Sequence, residues 1–157
     1  MDEKKYIEMK QSFTEYLTEK KLRKTEERYA IFECICRFAG HFDMYSLQEK
    51  LEEANFHVSK ATLYNTLDVL EDGGLIVRHQ LNAQSVQYEL RALAETHLHL
   101  VCMKCGAIRE MKDSVLKKDV NNLKISRFTA EFHALYIYGI CSKCKFKLQQ
   151  KNSKKEY

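Results

Sequence analysis

Residues 59–90 read SKATLYNTLDVLEDGGLIVRHQLNAQSVQYEL, a helical pattern that runs directly into a hairpin pattern. Ser59 offers an N-cap hydroxyl, and Leu63, Leu67 and Leu70 recur at the spacing of one buried helical face. Ala61, Tyr64, Asn65 and Asp68 share a different face, which leaves an aromatic ring and an amide outside. Gly73 and Gly74 end the helix, because glycine inside a helix costs about 1 kcal/mol relative to alanine. LIVRHQ and VQYEL then supply β-forming runs joined by the turn residues of LNAQS, which predicts a hairpin.

Toward the N-terminus, Tyr6, Met9, Phe13, Tyr16 and Leu17 mark a helix over residues 5–20. A second helix is expected over 27–39, with Tyr29, Phe32, Ile35 and Cys36 on one face and Gly40 as its C-terminal cap. Ser46 is expected to cap a short helix, LQEKLEEA, with Glu49 completing a capping box. Three helices followed by a hairpin describe a winged helix over residues 10–90, with the first helix as an N-terminal extension.

After Leu90 the pattern changes. HLVCMKCGAIREM reads as two short strands around a CxxCG knuckle. A helix over 114–123, a strand in FHALYIYGIC and a second CxxC follow. The chain contains 0 prolines, so the joint at 91–96 (RALAET) is short. The fold class is therefore α+β, with a winged helix followed by an α/β part.

Composition permits a nucleic-acid partner without requiring one: 31% of the 157 residues are charged, and the net charge is +4. Residues 143–157 hold six lysines against one acid and read as a solvated basic end. No apolar run reaches membrane-spanning length, and MDEKKYIEMK lacks the apolar stretch of a secretory signal. The expectation is a cytoplasmic protein. In that compartment the 6 cysteines are metal ligands or core residues rather than a disulfide framework. Cys34 and Cys36, in an apolar helical stretch, are assigned to the core.

Cys102, Cys105, Cys141 and Cys144 form two CxxC pairs. Two residues between thiolates let a tight turn aim both sulfurs at one tetrahedral ion, at about 2.3 Å each. Four thiolates make a closed, structural zinc site. His97 and His99 alternate around Leu98 and point to the same side of an extended chain. Glu89 ends the wing, and Glu110 lies close to His99 if the two strands around the knuckle pair. Imidazoles with carboxylates suit Fe(II), Mn(II) or Zn(II). The same spacing also fits a polar, solvated strand with incidental acids. His41, after Gly40, is either a fifth ligand or a surface histidine.

HLHLVCMKCGAI, YIYGICSKC and SKATLYNTLDVLEDGGLI together resemble the ferric uptake regulator family of metal-dependent bacterial repressors, over residues 22–144. The resemblance implies a homodimer that binds double-stranded operator DNA. It divides the chain into a winged-helix DNA-binding domain (1–90), a dimerisation and metal-binding domain (91–148) and a basic tail (149–157). It also implies a structural Zn(2+) and a regulatory Fe(2+), with Mn(2+) or Zn(2+) as alternatives, on His41, Glu89, His97, His99 and Glu110.

His133 matches a ligand of a further site seen in some members. Thr96, Leu98 and Lys117 fill its other positions and are poor ligands, so that site is expected to be absent. Tyr64 matches a base-contacting tyrosine and Arg23 a residue that reaches the minor groove. Arg28, Lys60, Thr62 and Asn65 complete the candidate DNA contacts. Asn65 stands where iron sensors of the family often carry arginine, and asparagine favours adenine over guanine. Phe42 replaces a common proline.

Iron-responsive repression of metal-uptake genes is the first expectation, favoured by Glu110 where peroxide sensors usually carry aspartate. Peroxide sensing, toward which Asn65 points, is second, and zinc sensing third. Outside the family, the competing readings are a zinc-dependent hydrolase built on His97 and His99 and a constitutive DNA-binding protein. The chain shows no substrate-pocket motif, and no enzyme activity is expected.

Overall fold

The computed structural model describes residues 2–82, 85–130 and 132–153. The centre of the expected hairpin turn, Ala83 and Gln84, and the end of the basic tail, 154–157, lie outside the described residues. The architecture is mixed α and β. The chain separates into two compact units, residues 1–80 with 86–93, and residues 81–85 with 94–157.

The first unit begins with helices α1 (Glu3–Glu19), α2 (Glu26–Cys36), α3 (Met44–Glu53) and α4 (Lys60–Asp72). Strands β1 (Ile76–Asn82) and β2 (Ser85–Leu90) then pair as a two-stranded sheet. Helix α1 docks because Met9, Phe13 and Leu17, one turn apart, are all buried. The Phe13 and Phe32 rings stack at 5.3 Å, tying α1 to α2. Leu63, Leu67 and Leu70 of α4 are fully buried in the same core. Each such burial contributes about 1.5–3 kcal/mol. An isolated bridge between Phe42 and Tyr88 ties the entry of α3 to β2.

Two helix ends differ from the sequence expectation. Gly40 does not cap α2; Arg37 does, and the amides of Arg37 and Phe38 bond the carbonyls of Cys34 and Ile35. These tight i→i−3 bonds satisfy the last carbonyls without a left-handed residue. Helix α3 starts earlier than expected, capped by Asp43 rather than Ser46. The Asp43 carboxylate accepts from the Ser46 amide at 2.8 Å, and the Ser46 hydroxyl accepts from the Asp43 amide at 3.0 Å. Ser46 is thus the third residue of the capping box, and Glu49 is not in it. A carboxylate at the positive helix end is the stronger cap. Helix α4 is capped by Ser59, and Gly74 behind it adopts φ +67. A Cβ there would be strained and would meet the Arg91 guanidinium at 2.7 Å.

After the short helix α5 (Arg91–Ala94), the second unit is a three-stranded sheet with helices. Its strands are β3 (Leu98–Cys102), β4 (Ile108–Met111) and β5 (Tyr136–Gly139), in the order β4-β3-β5. β3 pairs antiparallel with β4 and parallel with β5. Helix α6 (Ser114–Asn121) crosses between β4 and β5, capped by Asp113. Helix α7 (Ser142–Ser153) carries the beginning of the basic segment, so residues 143–153 are helical. Among the described residues no helix is long and apolar enough to cross a membrane.

Candidate metal centres

The four cysteines of the two CxxC pairs gather in the second unit, with their sulfurs within 4.8 Å of one another. The sheet does this directly. Cys102 ends β3 and stands in register with Gly139 of β5, two residues before Cys141. The first knuckle turns back through the Gly106 amide, which bonds the Cys102 carbonyl at 2.8 Å with Gly106 at φ 71. Cys144 lies in the first turn of α7. Sγ of Cys105 and Cys141 are 3.8 Å apart. Two thiolates on one tetrahedral zinc, each at about 2.3 Å, stand about 3.8 Å apart, so the donor set fits zinc.

The thiols are prepared for it. Backbone N–H groups of Cys141, then Cys105, donate toward Cys102 and lower its pKa to about 6. The Cys141 amide reaches that sulfur at 3.4 Å. Cys144 is pushed up to about 12, first by its hydrogen bond to Cys105 and then by that to Cys141. The two shifts are opposite in direction, and a bound cation favours the thiolate form of every sulfur it holds. Cys34 and Cys36 are buried in the helical core, and desolvation raises the pKa of both, that of Cys36 to about 12. They are inert thiols.

The expected regulatory ligands form a group in each unit. In the second, His97 Nε2 and His99 Nε2 are 3.2 Å apart. His99 is fully buried, stacked on Tyr136 at 5.1 Å, with its amide bonding the Leu135 carbonyl. Glu110 is exposed and stands directly opposite His99 in the antiparallel register, so both side chains leave the same face of the sheet. In the first unit, Glu89 is fully buried at the end of β2, and His41 Nε2 lies 3.5 Å from its Oε2.

The sequence reading missed one residue here. His79 of β1 is buried, with Nε2 at 3.5 Å from the same Glu89 oxygen. Nothing in its spacing pointed to Glu89; the pairing of β1 with β2 brings them together.

His133 lines a pocket with Glu95, Thr96, His97, Leu98, Asp113, Lys117 and Leu135.

On α4, Lys60, Tyr64 and Asn65 are exposed, Tyr64 at 52%. Thr62 is half-buried, and its hydroxyl is 2.9 Å from that of Ser59, inside the N-cap. Arg23 is exposed, whereas Arg28 donates to the Arg23 carbonyl at 2.6 Å and braces that loop.

Residues 19–138 match the sequence model of the Ferric uptake regulator family. A ferric uptake regulation protein of Legionella pneumophila is 34% identical over 105 residues, 66% of this chain and 76% of that protein. Among solved structures, the ferric uptake regulator of Helicobacter pylori superposes with TM-score 0.68 at 19% identity, covering 89% of this chain and 93% of that one. That of Pseudomonas aeruginosa, solved with manganese, gives TM-score 0.61 at 25% identity over 80% and 96%. With the match covering most of the chain, from residue 19 to residue 138, the chain belongs to the Ferric uptake regulator family.

Proposed function

We propose that the chain is a metal-dependent transcriptional repressor that binds operator DNA as a homodimer, with Fe(II) as its signal. The observation that carries this reading is the His97–His99 pair, two imidazole nitrogens converging at 3.2 Å beside Glu110. Two donors on one ion with bonds of about 2.1 Å stand about 3.0–3.4 Å apart. Nitrogen and carboxylate donors without sulfur select Fe(II), Mn(II) or Zn(II) over soft metals. Glu110, rather than aspartate, favours iron, and the Pseudomonas relative was solved with manganese.

In this reading residues 1–90 bind DNA, residues 91–148 dimerise and bind metal, and residues 149–157 follow as a basic end. The four-cysteine zinc, held by Cys102, Cys105, Cys141 and Cys144, supplies folding energy and no chemistry. His41 and Glu89 belong to the DNA-binding part, and His97, His99 and Glu110 to the other. All five can bond one ion only in one relative orientation of the two parts, so metal binding favours that orientation. In a dimer, orientation sets the distance between two copies of α4, which must fit successive major-groove segments. Tyr64 and Asn65 would then face base edges, with Lys60 and Arg23 near the backbone.

A dimer is supported by the apolar surface of the second unit. Phe128 is 66% exposed, Tyr138 55% and Ile137 48%, the last two on the edge strand β5. Such a surface marks a protein interface. The experiment is DNA affinity against buffered Fe(II), Mn(II) and Zn(II), with and without peroxide. Iron-dependent binding insensitive to peroxide supports the reading. Binding independent of every metal rejects it, and loss on peroxide treatment moves the assignment to peroxide sensing.

A further inference from the structure

The joint read from the sequence, RALAET at 91–96, is held to the first unit over its first half. The Arg91 amide donates to the Leu75 carbonyl at 3.0 Å. Its guanidinium lies against Gly74, just beyond the end of α4, with Nη1 2.7 Å from where a Cβ would stand. Positive charge suits that end of a helix. From α1, Lys5 Nζ donates to the Ala92 carbonyl at 3.3 Å. Ala92 and Leu93 pack against the same core that holds Phe13, Phe32 and Leu67. The second unit starts at the next residue, Ala94, which is 1% exposed. The freedom left to the joint therefore begins at Leu93 rather than at Leu90.

We propose that Lys5 and Arg91 are positioning residues, which pin residues 91–93 to the DNA-binding part and so narrow the orientations that the metal-free chain can sample. The inference rests on the regulatory reading and deepens it. In that reading metal and DNA both select one orientation. Whichever binds first bears the cost of ordering the joint, and the second binds without it. Narrowing the joint in advance lowers that cost. It strengthens metal binding to the free chain and DNA binding to the metal-free chain by one common factor per chain. DNA binding by the metal-loaded chain is unchanged, because there the joint is already ordered. The pins thus set how steeply metal controls DNA binding, and a looser joint gives a steeper response.

The test compares the zinc-loaded wild-type chain with Lys5→Ala/Arg91→Ala, using Mn(II) and a duplex selected from random DNA by the Mn(II)-loaded wild type. Without DNA, the variant should bind Mn(II) about fivefold more weakly, the freedom of roughly one backbone residue. Its metal-free DNA affinity should fall by the same factor per chain, about 25-fold for a dimer. Its DNA affinity at saturating Mn(II) should match wild type. Arg91→Lys, which keeps a cation beside Gly74, should stay close to wild type in all three affinities. Lost charge or a damaged fold would weaken DNA binding with and without Mn(II) alike, and that outcome overturns the inference. Mn(II) and metal-free DNA affinities equal to wild type also overturn it and leave the regulatory reading standing. Circular dichroism and zinc content check the fold, and Arg91→Gln alone is read by the same three affinities if the double variant does not fold. A wild-type chain whose DNA binding ignores Mn(II), Fe(II) and Zn(II) rejects the regulatory reading, and the inference with it.

Discussion

His97 and His99 hold their Nε2 atoms 3.2 Å apart, one residue just before β3 and the other buried within it. Two imidazole nitrogens at this distance either share one N–H in a hydrogen bond or flank a cation. The strand alternation that puts both rings on one side brings the two nitrogens to one point. Tyr136, stacked on His99 from the neighbouring strand, restricts how far that ring can turn away.

Replacing either histidine by alanine should abolish the metal dependence of DNA binding and leave the weak affinity of the metal-free form. The four-cysteine zinc, the fold and the dimer should persist, because the zinc is held by other side chains. His41→Ala should reduce the coupling between metal and DNA more than it reduces metal affinity. Metal affinity and DNA affinity measured on the same variant separate these effects. Metal-dependent DNA binding by His97→Ala would place the sensor elsewhere.

The purified chain should carry close to one tightly held zinc per chain. Cys102→Ser or Cys141→Ser should lose it and lose the dimer with it, since zinc binding at such a site is coupled to folding. Metal analysis and sedimentation read the two outcomes. A zinc-free wild-type chain that stays a folded dimer contradicts the coupling.

Tyr64→Ala should lose discrimination between operator and random DNA, since the ring is exposed on α4 and absent from the core. Arg23→Ala should weaken binding to all sequences and lower the salt slope by about one. Fluorescence anisotropy at several salt concentrations measures both. Unchanged selectivity in Tyr64→Ala would move the reading face off α4.

Asp43→Ala should destabilise the first unit by about 1 kcal/mol, because it removes the cap of α3. The Ser46 amide and hydroxyl hold the Asp43 pKa below its ordinary 3.8. A carboxylate with a lowered folded pKa stabilises above its unfolded value and loses that contribution as pH falls through the folded one. The cap's contribution should thus be full above about pH 4 and fade below it. Thermal melts of wild type and Asp43→Ala across that range should converge at low pH; a constant gap would exclude the carboxylate as cap.

Much of the fold was legible because it is written in short-range spacing. Leu63, Leu67 and Leu70 announce α4, the two glycines its end, and the CxxC pairs two tight turns; each pattern spans a few residues. Helix ends were less legible. Asp43 and Ser46 are both good caps three residues apart, and only hydrogen-bond geometry selects Asp43. The lysines at 143, 145 and 147 are exposed, as a solvated basic segment requires, but their charge pattern hid the helix α7, which runs on from Ser142, directly after Cys141.

Residue spacing sufficed for the order of helices and strands apart from α5 and α7, for the pairing of thiols within each knuckle, and for the side on which His97 and His99 fall. These follow from the 3.6-residue and two-residue periods of helix and strand. Long-range pairing in three dimensions is what sets Cys102 level with Gly139, Glu110 opposite His99, and His79 and His41 beside the same Glu89 carboxylate. Such neighbours are set by strand register, and a shift of one residue would turn each side chain to the opposite face.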